Sequence, residues 1–264
     1  MPWANPVVAR LGAAASASPP ISAADEFAAD ELCGLLCVCA WPAPPELVER
    51  FDALCARLVA AGLPTEAAYL YPSTTLHCTV CTLRPFTASC LNSSARRAEA
   101  ARWSAVLDVA RADARWPTTP FRLRLGPPSF EGAVGILRYE DLDGTIGAAR
   151  ACLRDAIAAA GGVTAEGGAD RSHARALPGA PAGEPAPHIP DIVHSTAMRW
   201  AAEPTEAQKA AARAAFDAVR ADWVPLDFSA PGALCVFEHV PFMHIPHDDG
   251  AVWWRGGVSD ALTM

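Results

Sequence analysis

The sequence predicts an α+β fold made of two related lobes, and two observations lead to that prediction. The triad His-x-Thr occurs from His77 to Thr79 and again from His194 to Thr196, each time within a run of apolar and β-branched residues that favours a strand. Around each triad the residue patterns follow one order: a helix, the histidine strand, a second helix and two more strands. This repeat predicts a pseudo-twofold pair of lobes with both histidine strands at their shared centre.

The individual elements follow from the spacing of apolar residues and from the Pro and Gly residues between them. The first half comprises a strand at 32–41, a helix at 44–62, the first histidine strand at 74–83, a helix at 93–114 and two strands at 121–125 and 133–139. Gly126, Pro127 and Pro128 are predicted to end the first strand of that last pair. The second half comprises a helix at 144–160, the second histidine strand at 191–200, a helix at 203–223 and strands at 224–228 and 233–239.

Alternation along a strand brings the His and Thr of each triad to one surface. Side chains at i and i+2 point the same way, so each triad offers an imidazole beside a hydroxyl. The same alternation predicts Cys81 on the face of His77, and Met198 and Trp200 on the face of His194. A single triad is explained as well by a strand histidine with a hydrogen-bonded neighbour. None of the other five histidines has Ser or Thr two residues later, so the pair is the informative feature.

The two triads, their separation and the order of elements from 32 to 244 make the chain resemble the two-histidine (2H) phosphoesterase superfamily. That superfamily includes the bacterial RNA 2′,3′-cyclic phosphodiesterase/ligase-like proteins and the plant cyclic phosphodiesterases. Arg199, five residues after the second histidine, is similar to an arginine common after the family's second motif. The resemblance implies a bilobal 2H phosphoesterase fold, in which two antiparallel sheets line a central cleft and the helices lie outside. It also implies hydrolysis of 2′,3′-cyclic phosphates on nucleotides or short RNA ends, or of a related ribose phosphodiester such as a 2′-5′ linkage.

Hydrolysis of a cyclic phosphate needs a base to take a proton from water and an acid to protonate the leaving ribose oxygen. Histidine suits both roles because its unperturbed pKa is about 6.5. We expect His77 and His194 to be this acid/base pair, with the assignment of the two roles left open. Thr79 and Thr196 would donate hydrogen bonds to the non-bridging phosphate oxygens. Such chemistry implies an enzyme, a cyclic phosphodiesterase, that needs no metal and no cofactor.

Three further residues are candidates for binding substrate. Arg199 would contact the phosphate, and the rings of Trp200 and Tyr71 would stack against a base. For both aromatic residues, packing in the core or at its rim is the simpler explanation. Phe86, Trp253 and Trp254 are further aromatic candidates with the same alternative.

No metal site is predicted from the clustered ligand-type residues. The C-terminal group of His239, His244, His247, Asp248 and Asp249 is interrupted by prolines, which favour a solvated loop. The thiols of Cys78 and Cys81 should point to opposite faces of a strand, which makes a poor zinc clamp. Neither a dinucleotide-binding motif nor a P-loop occurs.

Composition predicts one bilobal domain at 31–258, preceded by a flexible tail at 1–30, in a chain of 264 residues that is 52% hydrophobic. Residues 163–190, rich in Gly, Ala and Pro, form the main irregular stretch. It is either a mobile surface loop or a lid that brings Arg171, His173 or Arg175 to the substrate phosphate. No apolar run approaches the length of a membrane-spanning helix.

The charge and the cysteines indicate the partners and the location. A net charge of −8 without a basic stripe disfavours long duplex nucleic acid and favours nucleotides or short RNA ends as substrate. Nine cysteines, most of them in predicted strands and helices, indicate reduced buried thiols and hence a cytoplasmic or nuclear protein. We expect no membrane association and a monomer.

Two alternatives stay open. The chain could be a nucleotide- or RNA-binding protein of the same fold without turnover, although a pure binder needs no acid/base pair. It could also be an α+β scaffold with incidental histidines, in which case the two histidine strands would lie apart.

Overall fold

The computed structural model describes residues 34–85, 93–131, 134–166, 173–180, 183–201, 203–238 and 252–256. The elements in chain order are β1 (Gly34–Cys39), α1 (Pro45–Ala60), β2 (Ala68–Leu70), a 3-10 turn (Ser73–Thr75), β3 (Cys78–Arg84), α2 (Ser93–Ala112), β4 (Phe121–Glu131), β5 (Val134–Asp141), α3 (Thr145–Ala159), β6 (Ala165–Glu166), β7 (His188–Ile189), β8 (His194–Trp200), α4 (Glu206–Ala221), β9 (Leu226–Ala230), β10 (Leu234–Glu238) and β11 (Val252–Arg255). The predicted α+β fold is confirmed.

The strands form two sheets, and each sheet contains one histidine strand. The six-stranded sheet has the order β11-β10-β1-β3-β7-β6, and the five-stranded sheet has the order β2-β8-β5-β4-β9. All pairings are antiparallel except the short one between β6 and β7. In the six-stranded sheet β3 lies between β1 and β7. In the five-stranded sheet β8 lies between β5 and β2, so the two histidine strands occupy equivalent positions in a pseudo-twofold arrangement.

The two halves of the chain are interleaved rather than separate. The first half contributes β2 to the sheet of the second histidine strand, β8, and the second half contributes β7 to the sheet of the first, β3. The first helix of each half follows the same rule. Helix α1 packs against α4 and β9, and α3 packs against α2 and β3. Each histidine strand is therefore held by elements from both halves.

The helices begin near the Pro and Thr residues that favour helix starts in the sequence, and they cover one face of the sheets. Pro45 stands at the first position of α1, where a missing backbone N–H costs nothing. Thr205 and Gln208 form a capping box at the start of α4. The buried stripes of the four helices join the inner faces of both sheets in one hydrophobic core. A smaller apolar cluster lies on the opposite face of the six-stranded sheet and contains Leu36, Val38, Trp41, Leu234 and Val236.

Three details differ from the prediction. The first histidine strand begins only at Cys78, because the preceding residues Ser73–Thr75 form a 3-10 turn. Strand β4 continues through Gly126, Pro127 and Pro128, which produce a register shift against β5 instead of ending the strand. The short strands β2, β6, β7 and β11 carry too few residues for a recognisable pattern, and they pair because their neighbours offer open sheet edges.

Several predicted features lie outside the described residues: the tail at 1–30, Phe86, Arg171 and the C-terminal cluster from His239 to Asp249. The seven cysteines in the described part are all buried free thiols. None of the described helices combines the length and the apolar composition that a membrane span requires.

Candidate functional site

The two histidine strands meet at their motifs, although they belong to different sheets. The middle residues of the triads, Cys78 and Ser195, are buried in the core, with 4.0 Å between the Cys78 Sγ and Ser195 Oγ atoms. Because neighbouring side chains alternate, the His and Thr of each triad lie on the other face of their strand. We call these two surfaces the His faces. The two rings interact electrostatically, since the charge of His194 contributes to lowering the pKa of His77.

His77 is the more buried of the two histidines, and its ring has a defined orientation. Its Nδ1 lies 2.8 Å from the carbonyl oxygen of Thr75, two residues earlier. A carbonyl only accepts hydrogen bonds, so Nδ1 carries the proton and Nε2 is the basic nitrogen of the neutral ring. Burial lowers the pKa of His77 to about 4, against the opposing effect of the Thr75 hydrogen bond and with a further lowering by His194.

His194 repeats this arrangement in the second motif. Its ring is hydrogen-bonded to the backbone of Ile192, again two residues earlier, and the side chain is only half-buried. Burial is the main cause that lowers the pKa of His194, and the positive charges of Arg150, Arg138 and Arg199 lower it further. Arg138 is the cross-strand neighbour of His194 on β5 and forms an ion pair with Glu131 on β4.

A chain of buried hydrogen bonds joins the second motif to the backbone of the first. The Tyr139 hydroxyl donates to the Ser195 Oγ (3.0 Å), and the Ser195 hydroxyl donates to the carbonyl oxygen of His77 (2.5 Å). The amide of Tyr139 also donates to the carbonyl of Val193. This chain fixes the backbone of His77 relative to the strand that carries His194.

Each histidine strand contains a β-bulge at the same distance after its histidine. In β3 the pairing with β1 skips Val80, and in β8 the pairing with β5 skips Ala197. A bulge adds one residue and so reverses the alternation beyond it. Cys81 and Met198 therefore point into the core, and the predictions that placed them on the His faces are wrong.

The bulge also changes which residue at the end of β8 lies on the His face. Trp200 is buried in the core, where its ring meets Phe130 edge to face, so the prediction that it shares the face of His194 is wrong. Arg199 takes that place, consistent with the effect of its charge on the pKa of His194. In the first motif the equivalent position on β3 is Thr82, paired with His188 on β7.

Tyr71 lies next to the second motif, beyond the end of β2. Its amide donates to the carbonyl oxygen of Ala197, and its ring meets that of Tyr69 edge to face at 5.3 Å. Tyr69 is the cross-strand neighbour of Arg199, which puts both tyrosines beside the arginine on the His face. Burial raises the pKa of Tyr69 to about 12, so its hydroxyl stays protonated. The other two candidate rings lie elsewhere, Trp254 in the core and Trp253 stacked on Phe237.

Arg150 is a site residue that the sequence analysis missed. Its guanidinium, projecting from α3, donates to the carbonyl oxygens of Thr79 (2.9 Å) and Val80 (3.2 Å) in the first motif and of Ile192 (2.9 Å) before the second. The signal was available, because Arg150 falls on the same helical stripe as the apolar residues Ile146 and Leu153.

Cys78 and Cys81, two of the residues considered for metal binding, lie in the core. Cys78 and Cys81 both point into it because of the bulge at Val80, so the prediction of opposite faces is wrong. Within the described ranges, no three His, Cys, Asp or Glu side chains come together as a metal-binding group would.

The last described part of the irregular stretch, residues 183–190, contacts the first histidine strand. Glu184 forms a buried ion pair with Arg84 at the end of β3, and β7 pairs with the same strand. Arg175, a candidate for reaching the phosphate, instead donates to the carbonyl oxygen of Gly161 at the end of α3. His173 is exposed.

Comparison with solved structures shows a distant likeness to a bacterial protein. The structure of TT0787 from Thermus thermophilus matches with 18% sequence identity and a TM-score of 0.42, over 77% of this chain and 87% of that one. No protein-family model and no curated protein matches. A likeness of this size identifies neither a family nor an activity, so function has to be inferred from the geometry of the site.

Proposed function

We propose that the chain is a two-histidine phosphodiesterase of the 2H phosphoesterase type, which hydrolyses 2′,3′-cyclic phosphates on nucleotides or short RNA ends without a metal or cofactor. One observation carries this proposal. The rings of His77 and His194 are each hydrogen-bonded to backbone two residues earlier, in equivalent positions of two sheets that meet at these motifs. Two histidines without a common role would not be expected to share both the ring orientation and the position in their sheets.

The arrangement provides the groups for an in-line displacement at phosphorus. One histidine takes a proton from water as the water oxygen bonds to phosphorus. The other histidine gives its proton to the ribose oxygen as the bond from that oxygen to phosphorus breaks, which leaves a phosphate monoester. Thr79 and Thr196, on the His faces, donate to the non-bridging oxygens, where charge is greatest in the transition state.

The surroundings of His194 support an anionic substrate. Arg199 lies on the same His face, and Arg138 is the cross-strand neighbour of His194. Arg138 is engaged by Glu131, and Arg199 is the proposed phosphate ligand because it shares the face of the histidine. Tyr71, next to it, is proposed to contact the nucleoside. The net charge of −8 favours a small substrate over a long nucleic acid. The buried free thiols of the described residues support a cytoplasmic or nuclear location, and we propose a monomer.

The test is turnover of 2′,3′-cyclic AMP by EDTA-treated protein. We expect hydrolysis by the wild type, and its loss in the His77→Ala/His194→Ala double variant. His173→Ala removes an exposed histidine and should retain full activity. Absence of turnover with saturable nucleotide binding would replace the proposal by a binding protein of the same fold. Turnover abolished by EDTA and restored by a divalent metal would contradict the two-histidine mechanism.

A further inference from the structure

Arg150 is a buried charged side chain that contacts the backbone at both histidine motifs. It is 8% exposed, and it comes from α3, which packs on the core side of β3. Its three hydrogen bonds all go to backbone carbonyls: two belong to residues 79 and 80, just after His77, and one to residue 192, just before His194. A single rigid group therefore spans the junction between the two sheets.

The chemistry of the guanidinium explains why an arginine stands there. Its five N–H donors lie in one plane in a fixed fork, so donors directed at two strands hold those strands at a fixed separation. An ammonium group is a compact charge with freely rotating donors, and it lacks this planar reach. Burying the charge is unfavourable and lowers the pKa of Arg150, which a solvent-facing position would avoid. An apolar residue would continue the buried stripe of α3 without that penalty.

The hydrogen bond from Arg150 to the Ile192 carbonyl also bears on the orientation of the His194 ring. The backbone of Ile192 is also the hydrogen-bonding partner of the His194 ring, so Arg150 and His194 share one attachment point. On the other strand, Arg150 holds the backbone of Thr79, whose hydroxyl is on the His face. The guanidinium therefore holds the backbone at Ile192, which orients the proposed acid/base residue His194, and the backbone of Thr79, a proposed hydrogen-bond donor to the phosphate.

We propose that Arg150 is the positioning residue that sets the spacing and alignment of the two His-x-Thr motifs for phosphodiester hydrolysis. The expected loss of rate rests on the proposed function, whereas the alignment of the two strands by Arg150 does not. Arg150 does not touch the substrate; it acts through the backbone of both strands. Misplacing reacting groups by about 1 Å costs on the order of 10²-fold in rate, which sets the expected effect of losing the contact.

Two variants separate the effect of the planar Arg150 guanidinium from the effect of its positive charge. Arg150→Lys keeps the positive charge but not the fork, and Arg150→Met removes both. The matched control is Arg115→Met, which breaks an exposed ion pair to Asp155 and so loosens a different contact of α3. We expect kcat for 2′,3′-cyclic AMP to fall on the order of 10²-fold in both Arg150 variants. The control should retain the wild-type value.

Titration of the histidine rings by NMR supplies a readout that a general loss of stability would not give. The charged groups around His194 are Arg150 from α3, Arg138 from β5, Arg199 from its own strand, Glu131 from β4 and the ring of His77. Only Arg150 changes, so His194 should titrate at higher pH in Arg150→Met and close to the wild type in Arg150→Lys. His77→Gln and His194→Gln assign the two signals.

The outcomes distinguish this inference from the proposed function. Wild-type kcat in either folded Arg150 variant would overturn the positioning role, and unchanged titration of His194 in Arg150→Met would show that Arg150 does not act on this ring. If Arg150→Met does not fold, Arg150→Lys decides the kinetic part, and a wild-type kcat there would overturn it as well. A wild type without turnover would remove the phosphodiesterase proposal, while the titration of His194 in Arg150→Met would still test whether Arg150 acts on this ring.

Discussion

The hydroxyl of Ser195 donates a hydrogen bond to the backbone carbonyl oxygen of His77, 118 residues away in sequence. Ser195 is the middle residue of the second triad, and its side chain points into the core, away from the face of His194. The middle position of a His-x-Thr triad is therefore a structural contact between the motifs. In the first triad the same position is Cys78, whose sulfur lies 4.0 Å from the Ser195 Oγ.

The replacement Ser195→Ala should lower stability by about 2–6 kcal/mol. It leaves the His77 carbonyl and the Tyr139 hydroxyl buried without their partner, and each buried unsatisfied group costs about 1–3 kcal/mol. Urea unfolding of the variant and the wild type measures the difference. Tyr139→Phe is the matched control: it removes only the outer hydrogen bond and should have a smaller effect, about 1 kcal/mol. Equal stability of Ser195→Ala and wild type would contradict this interpretation of the contact.

Stability should fall as the pH is lowered from about 6.5 to about 4. The buried ring of His77 has its pKa lowered to about 4, whereas in the unfolded chain it is near 6.5, so the unfolded state binds more protons between these values. The shift corresponds to about 3 kcal/mol, fully lost below pH 4. Thermal unfolding across this window measures the loss, and His77→Gln should reduce it. His173→Gln controls for removal of an exposed histidine; an equal reduction there would contradict the assignment to His77.

The pH profile of the free enzyme should have its maximum below pH 6.5. Burial lowers the pKa values of both His77 and His194, and a two-histidine mechanism needs one ring protonated and the other neutral. The profile of kcat/KM reports these free-enzyme values. A bound phosphate anion favours the imidazolium form, so the kcat profile should lie at higher pH than that of kcat/KM. A maximum of kcat/KM above pH 7 would be incompatible with this pair.

Arg199 and Trp200 should respond in opposite ways to replacement by alanine. Arg199 lies on the His face, so Arg199→Ala should raise KM for 2′,3′-cyclic AMP roughly tenfold or more through loss of a charged hydrogen bond. Trp200 lies in the core, so Trp200→Ala should lower stability by about 3–5 kcal/mol. Steady-state kinetics measure KM and urea unfolding measures stability for both variants. The reverse pattern would show that the bulge at Ala197 does not reverse the alternation.

The Arg84–Glu184 ion pair should hold residues 183–189 against the first histidine strand. Both side chains are buried, and removing one partner of a buried pair leaves an uncompensated charge that costs about 3–5 kcal/mol. Glu184→Gln should therefore destabilise the protein by about this amount and expose the segment to limited proteolysis. Glu206→Gln, which breaks an exposed pair at the start of α4, should cost less than about 1 kcal/mol. Wild-type resistance of Glu184→Gln to proteolysis would exclude an anchoring role.

Local patterns were sufficient for the helices, most strands and the surface shared by His77 and Thr79, because these depend on spacing within one segment. The positions of Arg199 and Trp200 could not be obtained in this way. Their orientation depends on a bulge at Ala197 that arises from the pairing with β5, a partner about 60 residues earlier. The same limit applies to Cys81 and to the short strand β7, whose pairing is decided by the open edge of β3.

Arg150 illustrates a different limit. Its position on the apolar stripe of α3 marks it as unusual, yet only the folded chain shows that carbonyls of both histidine strands converge on it. A sequence identifies a buried charge more readily than the groups that compensate it.

The exchange of β2 and β7 between the sheets has a consequence for how the protein unfolds. Neither half of the chain can complete its own sheet, because each histidine strand pairs with a strand from the other half. A partly unfolded species that retains one motif would lose the neighbours on which that motif depends. Denaturation should therefore be a single cooperative transition. Fragments divided near residues 142–143, between β5 and α3, should acquire structure only when both are present, as in split-protein complementation.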